Sequence, residues 1–118
     1  LDCGFGADEN LDHAQLIAED YRGIRPAPGY PACPDHTLKF ALFELLGAEK
    51  KIDVRLTEHA SMWPASSVSG FYLNHPKSRY FNVGPIALDQ VEAYAKARKI
   101  RIEEVERWLD PNLAYEPS

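Results

Sequence analysis

Apolar positions along the chain first recur at helical spacing around Leu16 and Ile17, behind Asp12 and Gln15, which sit three apart as in a capping box. The pattern predicts a short helix over about 12–20, with Gly23 just past its last turn. A second helix is expected to be capped by Asp35 or Thr37 and to run to about Leu46. Its apolar stripe is Leu38, Ala41, Leu42, Leu45 and Leu46, and Gly47 ends it. Residues 52–57 alternate apolar and polar, the period of a half-buried strand. Residues 68–73 and 80–83 read as two further strands, joined into a hairpin by the turn-rich segment 74–78. After Gly84-Pro85, the positions of Leu88, Val91, Tyr94 and Ala95 predict a helix ending near Lys99. A last helix over about 102–109 carries Val105, Trp108 and Leu109 and stops at Asp110-Pro111. Strand–helix–strand alternation is absent, so the expected class is α+β, an antiparallel β-sheet flanked by helices.

Between the first two helices lies the segment Arg25-Pro-Ala-Pro-Gly-Tyr-Pro-Ala-Cys-Pro-Asp-His36. Four prolines (Pro26, Pro28, Pro31, Pro34) remove four backbone donors and fix φ, which excludes a helix interior or a central strand. Each residue before a proline is pushed toward extended backbone. The result is a stiff loop whose shape is set before any ligand arrives. It carries a forked cation (Arg25), a glycine (Gly29) and an aromatic (Tyr30). An arginine fork suits a carboxylate or phosphate, so the loop reads as a ligand cradle. A proline-rich connector with an arginine at its edge is the other reading that these residues allow. The helix after the loop would offer its positive end to an anion beside the cradle.

Composition narrows the classes. The chain has 118 residues and a net charge of −5, without a long basic run, which argues against nucleic acid as a partner. No apolar run approaches membrane-spanning length. Cys3 and Cys33 are not a Cys-x-x-Cys pair and fit a reducing compartment. The four histidines lie far apart and form no ligand pair at helical spacing, so no metal site is expected. The chain begins Leu-Asp-Cys rather than with methionine, from which we expect a fragment of something larger.

The string Gly-Ile-Arg-Pro-Ala-Pro-Gly-Tyr-Pro-Ala-Cys-Pro-Asp-His-Thr at 23–37 resembles the C-terminal activation domain of cobalamin-dependent methionine synthase. Further matches are Leu56-Thr57-Glu58, Met62-Trp63-Pro64, Ser67-Val68-Ser69-Gly70, His75-Pro76 and Tyr80-Phe81-Asn82-Val83-Gly84. Asp89-Gln90-Val91, the run 104–109 and Pro111-Asn112-Leu113-Ala114-Tyr115 also fit. The resemblance spans essentially the whole chain and covers the later part of the family's domain.

The resemblance implies a role. In this family the activation domain binds S-adenosylmethionine and docks over a corrinoid whose cobalt has oxidised. A flavodoxin-type partner reduces the corrinoid, and methyl transfer from S-adenosylmethionine restores methylcobalamin. The implied site residues are Arg25 for the methionine carboxylate, the backbone at Ala27 and Gly29 for the nucleoside, Tyr30, and the aromatic pair Tyr80 and Phe81. Phe81 lacks a hydroxyl that some relatives carry. The implied partners are the cobalamin-binding domain and the electron donor, in the cytoplasm. Glu19 and His36 flank the cradle and are candidates either for the docked corrinoid domain or for plain surface and capping roles. Cobalamin itself is expected to be held mainly by another domain, since the Asp-x-His-x-x-Gly string is absent. No residue is expected to act as general acid, base or nucleophile. A stand-alone S-adenosylmethionine-binding protein for another corrinoid enzyme, or a docking module without cofactor, are the rival readings.

Overall fold

A computed structural model describes residues 8–118. Cys3 and the other residues ahead of Asp8 lie outside the described region. The element order is α1 (His13–Ile17), α2 (Leu38–Leu46), α3 (Ala48–Ile52), β1 (Arg55–Leu56), β2 (Met62–Trp63), α4 (Leu88–Arg98) and α5 (Ile102–Leu109), followed by a 3₁₀ turn at Asp110–Asn112. The class is α+β as expected, with a smaller sheet than the apolar pattern implied.

The helix starts follow local chemistry. Asp12 and Gln15 form the reciprocal cap, each side chain accepting from the other's backbone amide at 2.8–2.9 Å. Helix α1 nevertheless ends at Ile17 rather than Asp20, and Glu19 turns left-handed at φ 59°. Gly23 is therefore not the cap of α1. Its positive φ (77°) serves a close approach instead, because a Cβ there would lie 2.0 Å from the Leu73 carbonyl oxygen. Gly47 closes α2 in the left-handed conformation (φ 61°), as its position promised, and α3 begins immediately.

Three expectations are corrected. Ile52 belongs to α3, so the strand predicted over 52–57 shrinks to Arg55–Leu56, which pairs antiparallel with Met62–Trp63. The intervening turn is closed by Thr57 and Ser61, whose amide and carbonyl meet at 2.8 Å. Residues 68–73 do not pair with 80–83. They run antiparallel to the start of the proline loop through an Ile24–Leu73 bridge and a bond from the Phe71 amide to the Pro26 carbonyl at 2.8 Å. Residues 80–83 instead cross the loop, where the Val83 amide donates to the Pro31 carbonyl at 3.0 Å. The loop's own extended backbone supplies the strand partner that was expected from 80–83.

The core sits between α4 and α5. Val91, Ala95, Val105 and Leu109 are buried, and Ile86, Tyr94, Ile100, Leu113 and Tyr115 pack around them. The chain's final turn is tied back by Ile86, which donates to Asn112 and accepts from Ala114. The stripe on α2 behaves differently: Leu45 and Leu46 are 83% and 52% exposed, and the buried residue of that helix is Lys39. The Lys39 ammonium donates to the Ala60 carbonyl at 2.9 Å, so burial there is tied to a hydrogen bond and not to an apolar face.

Candidate functional site

The proline loop is two successive turns. Pro28 and Gly29 form the centre of the first, closed by the Tyr30 amide donating to the Ala27 carbonyl at 3.3 Å. A positive φ at the second central position is what a type II turn requires, and Gly29 supplies it at 96°. The second turn is closed by the Cys33 amide donating to the Tyr30 carbonyl at 2.8 Å, with Gly29 donating back to Cys33 at 2.7 Å. Prolines 26 and 28 are buried, so the loop is anchored as well as stiff. Tyr30 projects at its tip, 67% exposed.

Gly29 permits a close approach, but the group that approaches is within the protein. The His36 imidazole packs against it, and a Cβ at Gly29 would lie 2.1 Å from that ring. The Lys39 ammonium lies 3.1 Å from His36 Nδ1. Lys39 carries no acceptor, so Nδ1 accepts and the ring proton belongs on Nε2. Burial and the Lys39 charge both hold the His36 pKa below its ordinary value, and burial does the same to Lys39.

Arg25 is the centre of an aromatic cluster. Its guanidinium lies over the rings of both Tyr21 and Tyr72, 4.1 and 4.5 Å from their centroids, contacts that restrain the fork. Glu9 pairs with one of its terminal nitrogens. The Arg25 backbone amide donates to the Tyr80 hydroxyl at 2.8 Å, and the Tyr80 and Tyr21 hydroxyls are 2.6 Å apart. Burial and the bond to Tyr80 push the Tyr21 phenol well above its ordinary value, so it stays protonated at neutral pH. The structure thus brings Arg25 and Tyr80 together from positions 55 apart in sequence. Ala27, Gly29 and Tyr30 share the first turn. Phe81 is 58% exposed next to Tyr80 and takes no part in the hydroxyl cluster. A depression of about 530 Å³ opens beside this cluster, lined by Tyr21, Arg22, Ile24, Arg79 and Tyr80 among others. A wider one of about 830 Å³, between α2, α3 and β1, shares no residue with the cradle.

The far end of the loop is held by Asp35. Its buried carboxylate accepts from the Thr37 amide (2.8 Å) and hydroxyl (2.6 Å) on one oxygen. Tyr94 and Arg98 of α4 donate to the other, each at 2.5 Å. Burial alone would raise the Asp35 pKa, but these hydrogen bonds and the Arg98 charge outweigh it and hold the acid below its ordinary value. Burial and the bond to Asp35 push Tyr94 up to about 12. The anion expected at the start of α2 is therefore internal: Asp35 takes the Thr37 amide, which corrects the expectation that this helix end faces a ligand. It is Asp35, not Thr37, whose side chain provides this cap.

Sequence reasoning missed Glu9, Tyr21, Tyr72 and the Asp35–Tyr94–Arg98 group. A tyrosine four residues before Arg25 and an Asp closing the loop were visible, but Tyr80, which meets the first, and Tyr94 and Arg98, which meet the second, lie 59 to 63 positions away along the chain. No spacing rule reaches that far.

Comparison with known proteins agrees with this architecture. The family described as the activation domain of vitamin B12 dependent methionine synthase matches residues 2–99. A crystal structure of the MetH reactivation domain bound to AdoHcy is similar at a TM-score of 0.88 and 55% identity, over 92% of this chain. The chain spans 34% of the length of that relative. With most of its length, proline cradle included, inside the match, the chain belongs to the activation-domain family of vitamin B12-dependent methionine synthase.

Proposed function

We propose that this chain binds S-adenosylmethionine in the cradle and serves the reductive methylation that reactivates a corrinoid methyltransferase. The observation that carries the reading is the meeting of Arg25, on the stiff loop, with Tyr80, whose hydroxyl accepts from the Arg25 amide across 55 positions of sequence, in a chain 55% identical to a domain seen with AdoHcy. AdoHcy keeps the amino-acid and nucleoside parts of S-adenosylmethionine and lacks its methyl group. A site that holds one has the contacts to hold the other.

The residues present fit such a ligand. The Arg25 fork, restrained by two rings, is prepared for a carboxylate, so little side-chain entropy is lost on binding. In this reading the first turn presents the backbone of Ala27 and Gly29 to the nucleoside, while the Tyr30 ring shields it. Tyr80 and Phe81 offer aromatic faces to the sulfonium, whose charge favours a ring quadrupole over a dry apolar wall. S-adenosylmethionine supplies an activated methyl group, and the corrinoid supplies the nucleophile for in-line displacement. The protein's task is then placement and exclusion of water, which requires no general acid or base from this chain. We assign the corrinoid to a separate domain and the electrons to a flavodoxin-type donor, and regard this chain as the later part of one activation domain that does not catalyse methyl transfer by itself.

Calorimetric titration with S-adenosylmethionine tests the reading. Micromolar-range binding is expected, weakened about tenfold or more in Arg25→Lys, which keeps the charge and loses the fork. Equal affinity in the wild type, Arg25→Lys and Arg25→Ala would overturn the cradle assignment.

A further inference from the structure

Lys39 is a cation that α2 turns inward, only 7% exposed. Burying an ammonium is costly unless hydrogen bonds offset the lost hydration. Two acceptors meet it, the Ala60 carbonyl at 2.9 Å and the His36 Nδ1 at 3.1 Å. The first has an evident structural use. Ala60 is 1% exposed and left-handed (φ 59°), and without Lys39 its carbonyl would lose its donor. The second reaches the cradle. On either side of His36, Asp35 and Thr37 are buried and bonded to each other, so the direction of the imidazole is the freedom that remains. His36 lies at the surface, where a side chain without a partner exchanges rotamers. Its ring nevertheless fills the space that a Cβ would take at Gly29, the residue whose positive φ makes the first turn. The bond from Lys39 removes the remaining freedom, because it needs Nδ1 as acceptor and so the proton on Nε2.

We propose that Lys39 is a positioning residue of the cradle: it holds the His36 imidazole against Gly29 and so fixes the turn formed by Ala27, Pro28, Gly29 and Tyr30. For ligand affinity the proposal rests on the S-adenosylmethionine reading above, since it names what shapes the turn before the ligand arrives. A turn that is already ordered costs the ligand less to bind. The charged groups facing the ring are the Lys39 ammonium from α2 and the Asp35 carboxylate from the loop, and the turn itself brings only the Tyr30 phenol. Protonation of His36 would turn Nδ1 into a donor facing an ammonium 3.1 Å away, and burial and the Lys39 charge both oppose it. Acid therefore releases the ring and loosens the turn.

Long-range ¹⁵N–¹H spectra of the histidine side chains, recorded across pH, test the proposal without ligand. In the wild type the His36 proton should sit on Nε2, and the Gly29 and Tyr30 amides should shift as the ring titrates below the ordinary histidine value. In Lys39→Met, which keeps an unbranched chain and loses the charge, both tautomers should appear and the ring should titrate higher. The two amides should then be displaced already at neutral pH. Affinity for S-adenosylmethionine, read by calorimetry, should fall about five- to tenfold, the cost of ordering one turn residue on binding. The same substitution made in His36→Ala should cost no further affinity. A wild-type ring with its proton on Nδ1 would overturn the proposal, a result that needs no variant to fold. So would a Lys39→Met chain that loses stability while the His36 tautomer, its titration and the Gly29 amide stay unmoved, because Lys39 would then serve Ala60 alone. Equal affinity losses from Lys39→Met with and without His36 would count against it in the same way. A wild type that shows the ligand-free signatures and binds no S-adenosylmethionine would sink the proposed function and leave the positioning of the turn in place.

Discussion

Asp35→Asn is the substitution whose cost the structure defines best. The carboxylate accepts four hydrogen bonds, two from Thr37 and one each from Tyr94 and Arg98. Asparagine can keep one oxygen for Thr37, but its NH₂ group then faces two donors. The loss is close to one charge-assisted pair plus one hydrogen bond. Each is worth about 1.5–3 kcal/mol, and the two are not additive because Tyr94 and Arg98 also bond each other. Arg98 is 25% exposed and regains some hydration, which lowers the cost. We expect about 2–3 kcal/mol, or roughly 8–12 °C in Tm for a chain of this size. The pH dependence gives an independent check. The folded pKa of Asp35 lies below its unfolded value, so its contribution is complete above the ordinary carboxylate pKa of about 3.9 and is lost as pH falls from there through the folded value. Circular-dichroism melts of both proteins at neutral and acidic pH should therefore show a gap that narrows on acidification. A gap below about 0.5 kcal/mol at neutral pH, or one that persists unchanged into acid, would refute the reasoning.

Three further outcomes follow from the same geometry. Gly23→Ala and Gly29→Ala both place a Cβ on a residue of positive φ, but at Gly23 it meets the Leu73 backbone and at Gly29 the His36 side chain. Gly23→Ala should cost more stability, and His36→Ala should partly rescue Gly29→Ala but not Gly23→Ala, as read by urea denaturation. Tyr80→Phe removes the acceptor for the Arg25 amide and the partner of the Tyr21 hydroxyl. It should cost about 1 kcal/mol of stability and restore a more ordinary Tyr21 titration in ultraviolet difference spectra; an unchanged Tyr21 titration would contradict the contact. Val91→Ala, at a residue with no exposed surface, should destabilise by about 2 kcal/mol in the same denaturation assay while leaving ligand affinity unchanged.

What was legible in the sequence is what local chemistry decides. The Asp12–Gln15 cap, Gly47 at the end of α2, and helices α4 and α5 were all written in short-range spacing. The stiffness of the proline loop was equally direct. The sheet was not, because extended segments declare their period and not their partner. Residues 68–73 look ready for a hairpin, yet the prolines leave the carbonyls of Ile24 and Pro26 open, and the chain uses those. The α2 stripe misled for a related reason: periodicity reports a face that can be covered, and among the described residues Leu45 and Leu46 are not. At the site, Arg25, Gly29 and Tyr30 stood out by residue type. Glu9, Tyr21, Tyr72 and Asp35 are ordinary residues made notable by contacts that only the fold supplies.

The central claim, that the cradle is the S-adenosylmethionine site, is tested most directly by mapping amide shifts in ¹⁵N–¹H spectra as the ligand is added. The account predicts perturbations at Arg25, Ala27, Gly29 and Tyr30 together with Tyr80 and Phe81, and quiet amides along α5. Perturbations centred instead on the depression lined by Phe40, Phe43, Lys50 and Arg55 would contradict it.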